Sequence, residues 1–202
     1  MILHATYMDD EALKVVVDRK VPLVPTFTFQ ANLADYGPAI GSDEGLREVF
    51  RAEITESVGT LRAAYDAGVP LLTGSESGFS LTPYGDWHYR ELQVFVEDLG
   101  MTPLQAINSA TEQGARALKQ EGELGCIKPG YLADLLIFDG EPEKVITQLG
   151  EQHRFRHIMK DGKLVDLTSP LPKNWALPGW RVSEYSERVL TRELVDSMGL
   201  AR

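Results

Sequence analysis

Histidine is the side chain best suited to move protons or hold metals near neutral pH, and this 202-residue chain has four: His4, His88, His153 and His157. His153 and His157 sit four apart, the spacing that puts two imidazoles on one helix face as a zinc pair. They abut a stretch that reads as a strand, where such residues lie about 13 Å apart, so both are assigned structural roles. His4 closes the short apolar run Met1-Ile2-Leu3; a lone histidine there is ordinarily a hydrogen-bonded structural group, and it is also a metal-ligand and acid–base type. Glu76 lies in the polar loop Gly74-Ser75-Glu76-Ser77-Gly78, directly after another apolar run. By itself it reads as a solvated acid, a helix-cap partner or a general base. His88 follows the same run, either as a surface residue at a helix start or as a substrate contact. Phe27, Phe29 and Tyr36 either line a pocket or pack a loop. Cys126 is the single cysteine; it excludes an internal disulfide and is expected to be a small buried hydrophobe.

The elements that must position these residues alternate. Met1 to Ala5 reads as the end of a strand. A helix follows from about Asp9 to Arg19, with acids at its positive end and Leu13, Val16 and Val17 on its apolar face. Val21 to Thr26 reads as a short buried strand whose two prolines fall at its ends. A loop rich in aromatics and amides is expected over Phe27 to Gly41, then a helix from about Asp43 to Ala67. Ser42 is its expected cap, Leu46, Phe50, Ile54, Val58, Leu61 and Tyr65 its stripe, and Gly68 its end. Val69 to Thr73 is a further strand. His88, Leu92, Phe95, Val96 and Leu99 mark a helix stopped by Gly100. Thr102-Pro103-Leu104-Gln105 has the residues of a capping box with proline in the first turn, opening a small-residue helix that runs to about Leu118.

Strand–helix alternation at roughly 30 residues per unit implies parallel strands joined by right-handed crossovers. A complete barrel of eight such units takes about 250 residues, so residues 1–120 are expected to form only the last three. Residues 121–167 then read as a small β module: a turn at Lys128-Pro129-Gly130, a strand over Ala133 to Phe138, and a hairpin over Arg156 to Val165 turning at Asp161-Gly162. Residues 168–202 form a proline-rich tail with two tryptophans, and a last helix is expected from Ser183 to Met198.

Composition sets outer limits. Hydrophobic residues make up 43% and charged residues 25%, a globular mix. The formal net charge of −10 repels phosphate backbones, so nucleic acid is not an expected partner. No apolar run reaches the roughly 18 residues of a membrane span and no secretory leader is visible, so the expected location is the cytoplasm.

The order of short motifs resembles the C-terminal half of the amidohydrolase superfamily, in its imidazolonepropionase-like and prolidase-like branch. The resemblance rests on His4-Ala5-Thr6 with Asp9-Asp10-Glu11, Val24-Pro25-Thr26, Ala67-Gly68-Val69, Gly74 to Gly78 and Glu91-Leu92. It continues through Gly100 to Pro103 with Ala110-Thr111, Leu124-Gly125, Lys128 to Gly130, Ala133 to Leu135 and Lys160 to Gly162. It covers residues 1 to about 166. The resemblance implies a metal-bearing (β/α)₈ barrel with a small composite β-sandwich. The family's ligands stand at strand ends: a His-x-His pair on the first strand, Lys or Glu on the fourth, His on the fifth and sixth, and Asp on the eighth. His4 matches the sixth-strand histidine. Glu76 stands where the eighth-strand aspartate does, one methylene longer, still a hard oxygen ligand and a general base.

The resemblance thus implies a divalent metal, zinc first, held in part by His4 and Glu76. It implies hydrolysis of C–N bonds in a small amide or dipeptide-like substrate, with Glu76 as the catalytic base. Substrate contacts are assigned to His88, Tyr84, Phe29 and Gln30. No His-x-His pair exists in the chain, so the chain by itself is expected to be inactive and to represent part of a longer enzyme. The alternatives are a non-catalytic remnant or interaction module, or a half-barrel completed by another polypeptide. Open strand edges also predict homo-oligomers.

Overall fold

In the computed structural model, which describes residues 1–168 and 186–200, β1 (Ile2–Leu3) runs parallel to β2 (Leu23–Val24), pairing Ile2 with Leu23 and Leu3 with Val24. A third parallel stretch joins on the far side of β2. It is a single bridge between Leu23 and Leu71, held by Leu23 N–H to the Pro70 carbonyl at 3.0 Å and Leu72 N–H to the Leu23 carbonyl at 2.8 Å. Pro22 and Pro25 fall just outside β2, as the lack of a proline N–H requires.

Helices α1 (Asp10–Arg19) and α3 (Glu44–Asp66) follow the patterns in the sequence. Asp9 caps α1 through Ala12 N–H. The cap of α3 is Asp43, which accepts from Leu46 N–H at 3.2 Å, and not the expected Ser42; a carboxylate one residue nearer the first turn wins.

The expected loop after Phe27 is instead α2 (Phe27–Tyr36). The run holds no glycine or proline, and seven of its ten residues are buried. A helix covered on nearly every side shows no amphipathic period, so its pattern is invisible in the sequence.

Helix α4 (His88–Glu97) follows the loop after the third parallel stretch. The expected single helix over 102–118 is broken at Thr111 into α5 (Pro103–Ala110) and α6 (Glu112–Ala117). Thr111 has non-helical angles, φ −120° and ψ −91°. One apolar core joins Val16, Leu23, Phe27, Leu61, Leu71 and Phe95. A second gathers Leu33, Tyr36, Ile40, Leu81, Trp87 and Tyr89 with Leu190 and Val195 from the tail.

Beyond α6, β3 (Leu135–Phe138), β4 (Phe155–Lys160) and β5 (Lys163–Leu164) form an antiparallel sheet. Asp161 and Gly162 turn the hairpin with φ of 50° and 72°, the two positive values of a type I′ turn. Cys126 is half-buried rather than fully buried. The last helix, α7 (Arg192–Ser197), is shorter than expected: it begins at its cap Thr191, and before it the Glu187 and Leu190 N–H groups donate to the Ile40 and Ser80 carbonyls instead. The proline-rich stretch with both tail tryptophans, and Ser183 to Tyr185, lie outside the described residues. Among the described residues no helix is long and apolar enough to cross a membrane.

Candidate active site

The ends of β1, β2 and the third parallel stretch lie side by side, and each turns sharply. His4 (φ 68°), Ala5 (54°), Thr26 (60°) and Glu76 (47°) all occupy the left-handed region. Each such non-glycine residue costs on the order of 1 kcal/mol. Backbone strain of this kind clusters where a structure holds side chains for a task.

Close approach makes the cluster possible. A Cβ at Gly74 would stand 2.5 Å from Val24 Cγ1 and 3.2 Å from Thr26 Cγ2. Only glycine lets the Gly74–Gly78 loop lie against the end of β2, and this loop carries Glu76. The outcome is a separation of 3.5 Å between His4 Nε2 and Glu76 Oε1, two residues 72 positions apart in sequence.

His4 is oriented from its other nitrogen. Nδ1 lies 2.6 Å from Thr26 Oγ1, and that hydroxyl donates its proton to the Pro25 carbonyl at 2.6 Å. With its proton on that carbonyl, Thr26 Oγ1 is placed to accept from His4 Nδ1. Nε2 is left facing Glu76, the arrangement in which an acceptor on the other ring nitrogen orients a histidine to ligate. The two side chains are 54% and 31% exposed, open to an ion or a substrate.

Thr26 is in turn held from below. Glu91 of α4 is completely buried, and its Oε2 accepts from Thr28 N–H at 2.8 Å and Thr28 Oγ1 at 2.9 Å. It closes the N-terminus of α2, where Thr26 itself makes no side-chain cap. Burial pushes the Glu91 carboxyl up to about 7, against the opposing pull of the Thr28 hydroxyl and the N–H groups of Thr28, Phe27 and Thr26.

Glu76 has its own support. Its carbonyl accepts from Thr82 Oγ1 at 2.7 Å. The serines on either side both reach His88: Ser75 Oγ lies 2.9 Å from Nδ1, Ser77 Oγ 3.5 Å. His88 keeps an exposed edge, and the protein packed round the rest of the ring lowers its pKa, with the Asp86 charge opposing. The structure thus joins His88 to the Glu76 loop through Ser75 and Ser77.

The remaining candidates spread outward. Phe29 meets Phe50 and Phe79 edge-to-face, each at 5.9 Å between centroids. Gln30 Nε2 donates to Glu53 Oε2 at 2.9 Å, and Glu53 Oε1 accepts from Tyr7. Tyr84 is 73% exposed, with its hydroxyl over Gly78, where a Cβ would come within 3.1 Å. His153 and His157 are exposed in the β module, His157 within β4 and His153 near Glu151 at 3.7 Å. Roles for Thr26, Glu91, Ser75 and Ser77 escape a reading of the sequence, yet Glu91 left a trace. It falls on the buried side of α4 with Leu92 and Phe95, where an unpaired carboxylate is out of place.

A nitrogen and an oxygen donor are what zinc takes, at about 2.0–2.2 Å. Two ligands of one tetrahedral zinc stand about 3.4 Å apart on those bond lengths. The observed 3.5 Å is longer than a good hydrogen bond and fits that spacing. Among the described residues no group of three or more His, Cys, Asp or Glu is placed to hold a metal. His4 and Glu76 therefore fit as part of a ligand set and not as the whole of one.

Comparison with known proteins bears on the same residues. The sequence model of the amidohydrolase family matches residues 2–165. Ochratoxinase of Aspergillus niger is 28% identical over 163 residues, which is 80% of this chain and 32% of that protein. Imidazolonepropionase of Rhodococcus jostii is 40% identical over 78 residues, 39% of this chain and 19% of that protein. Among solved structures, a Xaa-Pro dipeptidase with bound methionine in the active site is similar with a TM-score of 0.66 and 30% identity, covering 81% of this chain and 39% of that one. The chain thus spans about a third of the length of the relatives it matches over most of its own.

Proposed function

Because this chain belongs to the amidohydrolase family, we propose that it carries part of the active site of a metal-dependent hydrolase that cleaves C–N bonds in small amide or dipeptide-like substrates. The observation that supports this most directly is the 3.5 Å approach of His4 Nε2 to Glu76 Oε1, with the His4 ring held at Nδ1 by Thr26. A divalent metal, zinc first, would when bound activate a water as nucleophile at neutral pH and act as Lewis acid toward the amide. His4 and Glu76 would hold it together with ligands from outside the described residues. Glu76 takes the proton of the attacking water and returns it to the departing nitrogen. Thr26 keeps the His4 ring from rotating. His88, Tyr84 and the Phe29–Gln30 turn of α2 contact the substrate, and the Phe29–Phe79 pair offers an apolar wall to its side chain.

The three parallel stretches stand, on this reading, for the last three units of the family's barrel, and β3–β5 for part of its small sandwich. The similarity to a dipeptidase and to ochratoxinase makes N-acyl amino acids and dipeptides the substrates to try, in a cytoplasmic setting that keeps Cys126 reduced. In the full-length gene product, Glu76→Gln keeps size and removes the base, and kcat falls by about 10² or more; hydrolysis of an N-acyl amino acid and dipeptide panel measures it. Wild-type turnover in that variant would remove Glu76 from the mechanism. The chain alone, with two ligands where a catalytic zinc takes three, binds zinc weakly and hydrolyses none of the panel.

The same reading makes the isolated chain self-associate. Met1, Ile2 and Leu3 on the free side of β1 are exposed, as are Leu136, Ile137, Leu164 and Val165 of the small sheet. An open edge and apolar surface of this kind invite pairing. Sedimentation at micromolar concentration shows oligomers; a monodisperse monomer would contradict it.

A further inference from the structure

The tail segment Ser186–Leu200 lies beyond the family-matched residues 2–165, yet it closes on the loop that leads from Glu76 to His88. Leu190 N–H donates to the Ser80 carbonyl at 2.7 Å, and Ser186 Oγ donates to Ser80 Oγ at 2.7 Å. Trp87 Nε1–H donates to the Leu190 carbonyl at 2.7 Å. Arg192 N–H donates to Asp86 Oδ2 at 3.2 Å, and its guanidinium lies 5.4 Å over the Trp87 ring and 5.1 Å over Tyr89. Leu190 and Val195 are fully buried against Leu81 and Trp87. A segment held at Ser80, Asp86 and Trp87 leaves little of the loop free.

That loop is coupled to the site at both ends. Thr82 Oγ1 holds the Glu76 carbonyl at 2.7 Å, and Gly78 N–H closes on the Thr82 carbonyl at 2.9 Å. At the other end Trp87 immediately precedes His88, whose ring meets Ser75. Two features show that the contact is built. The buried indole N–H has a partner only in the tail among the described residues, and an unmade bond there would cost about 1–3 kcal/mol. The cation stacked on two rings is itself tied to the Tyr89 hydroxyl.

We infer that Ser186–Leu200 is a brace that fixes the Ser80–Trp87 loop, and through it the Glu76 backbone and the His88 ring. Trp87 and Arg192 are its positioning residues. The inference does not depend on the proposed hydrolysis, because it concerns the order of the loop.

The test uses the full chain. Trp87→Phe keeps a ring and removes the N–H; Arg192→Ala removes the stacked cation and leaves the backbone N–H on Asp86. In each variant the Gly78 and Thr82 amides exchange with solvent about tenfold faster, the His88 ring-nitrogen shifts move, and the amides of the β4–β5 hairpin change by less than about twofold. The inference is overturned if Gly78, Thr82 and the His88 ring are unchanged in both variants. It is equally overturned if the hairpin amides accelerate by the same factor, since the tail would then contribute only overall stability. Trp87→Phe, the milder change, keeps the test usable if Arg192→Ala does not fold.

Discussion

Helices α5 and α2 face the same problem at their starts, four backbone N–H groups without partners, and meet it in opposite ways. α5 closes itself. Thr102 Oγ1 accepts from Gln105 N–H at 3.3 Å, Gln105 Oε1 accepts from Thr102 N–H at 2.8 Å, and Pro103 opens the first turn. α2 has no side chain of its own at its start and borrows the Glu91 carboxylate from 63 residues downstream. The first solution is local, exposed and independent of the rest of the fold. The second is buried and remote in sequence, and stands directly beneath Thr26, which orients His4. The comparison suggests that the helix start nearest the candidate site is the one whose integrity depends on tertiary structure.

The strongest way to break this contrast is Glu91→Ala. It leaves the Thr28 N–H and hydroxyl buried without an acceptor, each a loss of about 1–3 kcal/mol, and opens a cavity in the core. The expected destabilisation is about 3–5 kcal/mol in urea denaturation. The His4 ring should lose its Nδ1 contact as Thr26 is released, which ring-nitrogen NMR reads directly. A loss below about 1 kcal/mol would make Glu91 no more than an ordinary cap.

A second test sharpens the contrast through pH. Glu91 holds its proton more tightly in the folded chain, up to about 7, than at its ordinary 4.5. Between those values the folded state binds more protons than the unfolded one, so stability falls as pH rises. The contribution is fully present below about pH 4.5 and gone above about pH 7, a change of up to about 3 kcal/mol. Glu91→Gln keeps an acceptor for Thr28 and removes the titration. The difference in unfolding free energy between wild type and this variant should therefore slope across that window. A parallel pair of curves would show that Glu91 ionises freely.

The same division between local and distant closure decides what could be read from the sequence. The acidic start of α1, the Thr102–Gln105 box and the Asp161-Gly162 turn each act within a few residues and were legible. So were the prolines flanking β2, because a missing N–H excludes the same positions in any strand. α2 was not, since its burial erases periodicity and its cap is remote. The pairing of His4 with Glu76 was reachable by the order of motifs alone, the two lying 72 residues apart. The residues that hold the pair were not, because Thr26, Ser75 and Ser77 are small polar side chains of ordinary kind until the fold brings His4 and His88 to them. The tail misled for a related reason: Tyr185, Val189, Leu190, Leu194 and Met198 have helical spacing, but the Leu190 backbone is spent on Ser80 and Trp87.

The smallest effect belongs to the self-closed helix, and it completes the contrast. Thr102→Ala removes one acceptor from an exposed first turn, where water can take the freed Gln105 N–H. Caps of this type contribute about 1 kcal/mol, and Pro103 still holds the first turn in helical geometry. Gln105→Ala should cost less, since it leaves the Thr102 N–H open to solvent. The two losses should not add, because Gln105 Oε1 also accepts from Thr102 Oγ1 at 3.1 Å, and residues sharing one network couple. A double-mutant cycle in urea measures that coupling. Alongside it, the His4 ring-nitrogen shifts should match wild type in all three variants, since no bond runs from Thr102 to Thr26. If Thr102→Ala disturbs His4 as Glu91→Ala does, the local start is not independent of the site and the distinction between the two helices fails.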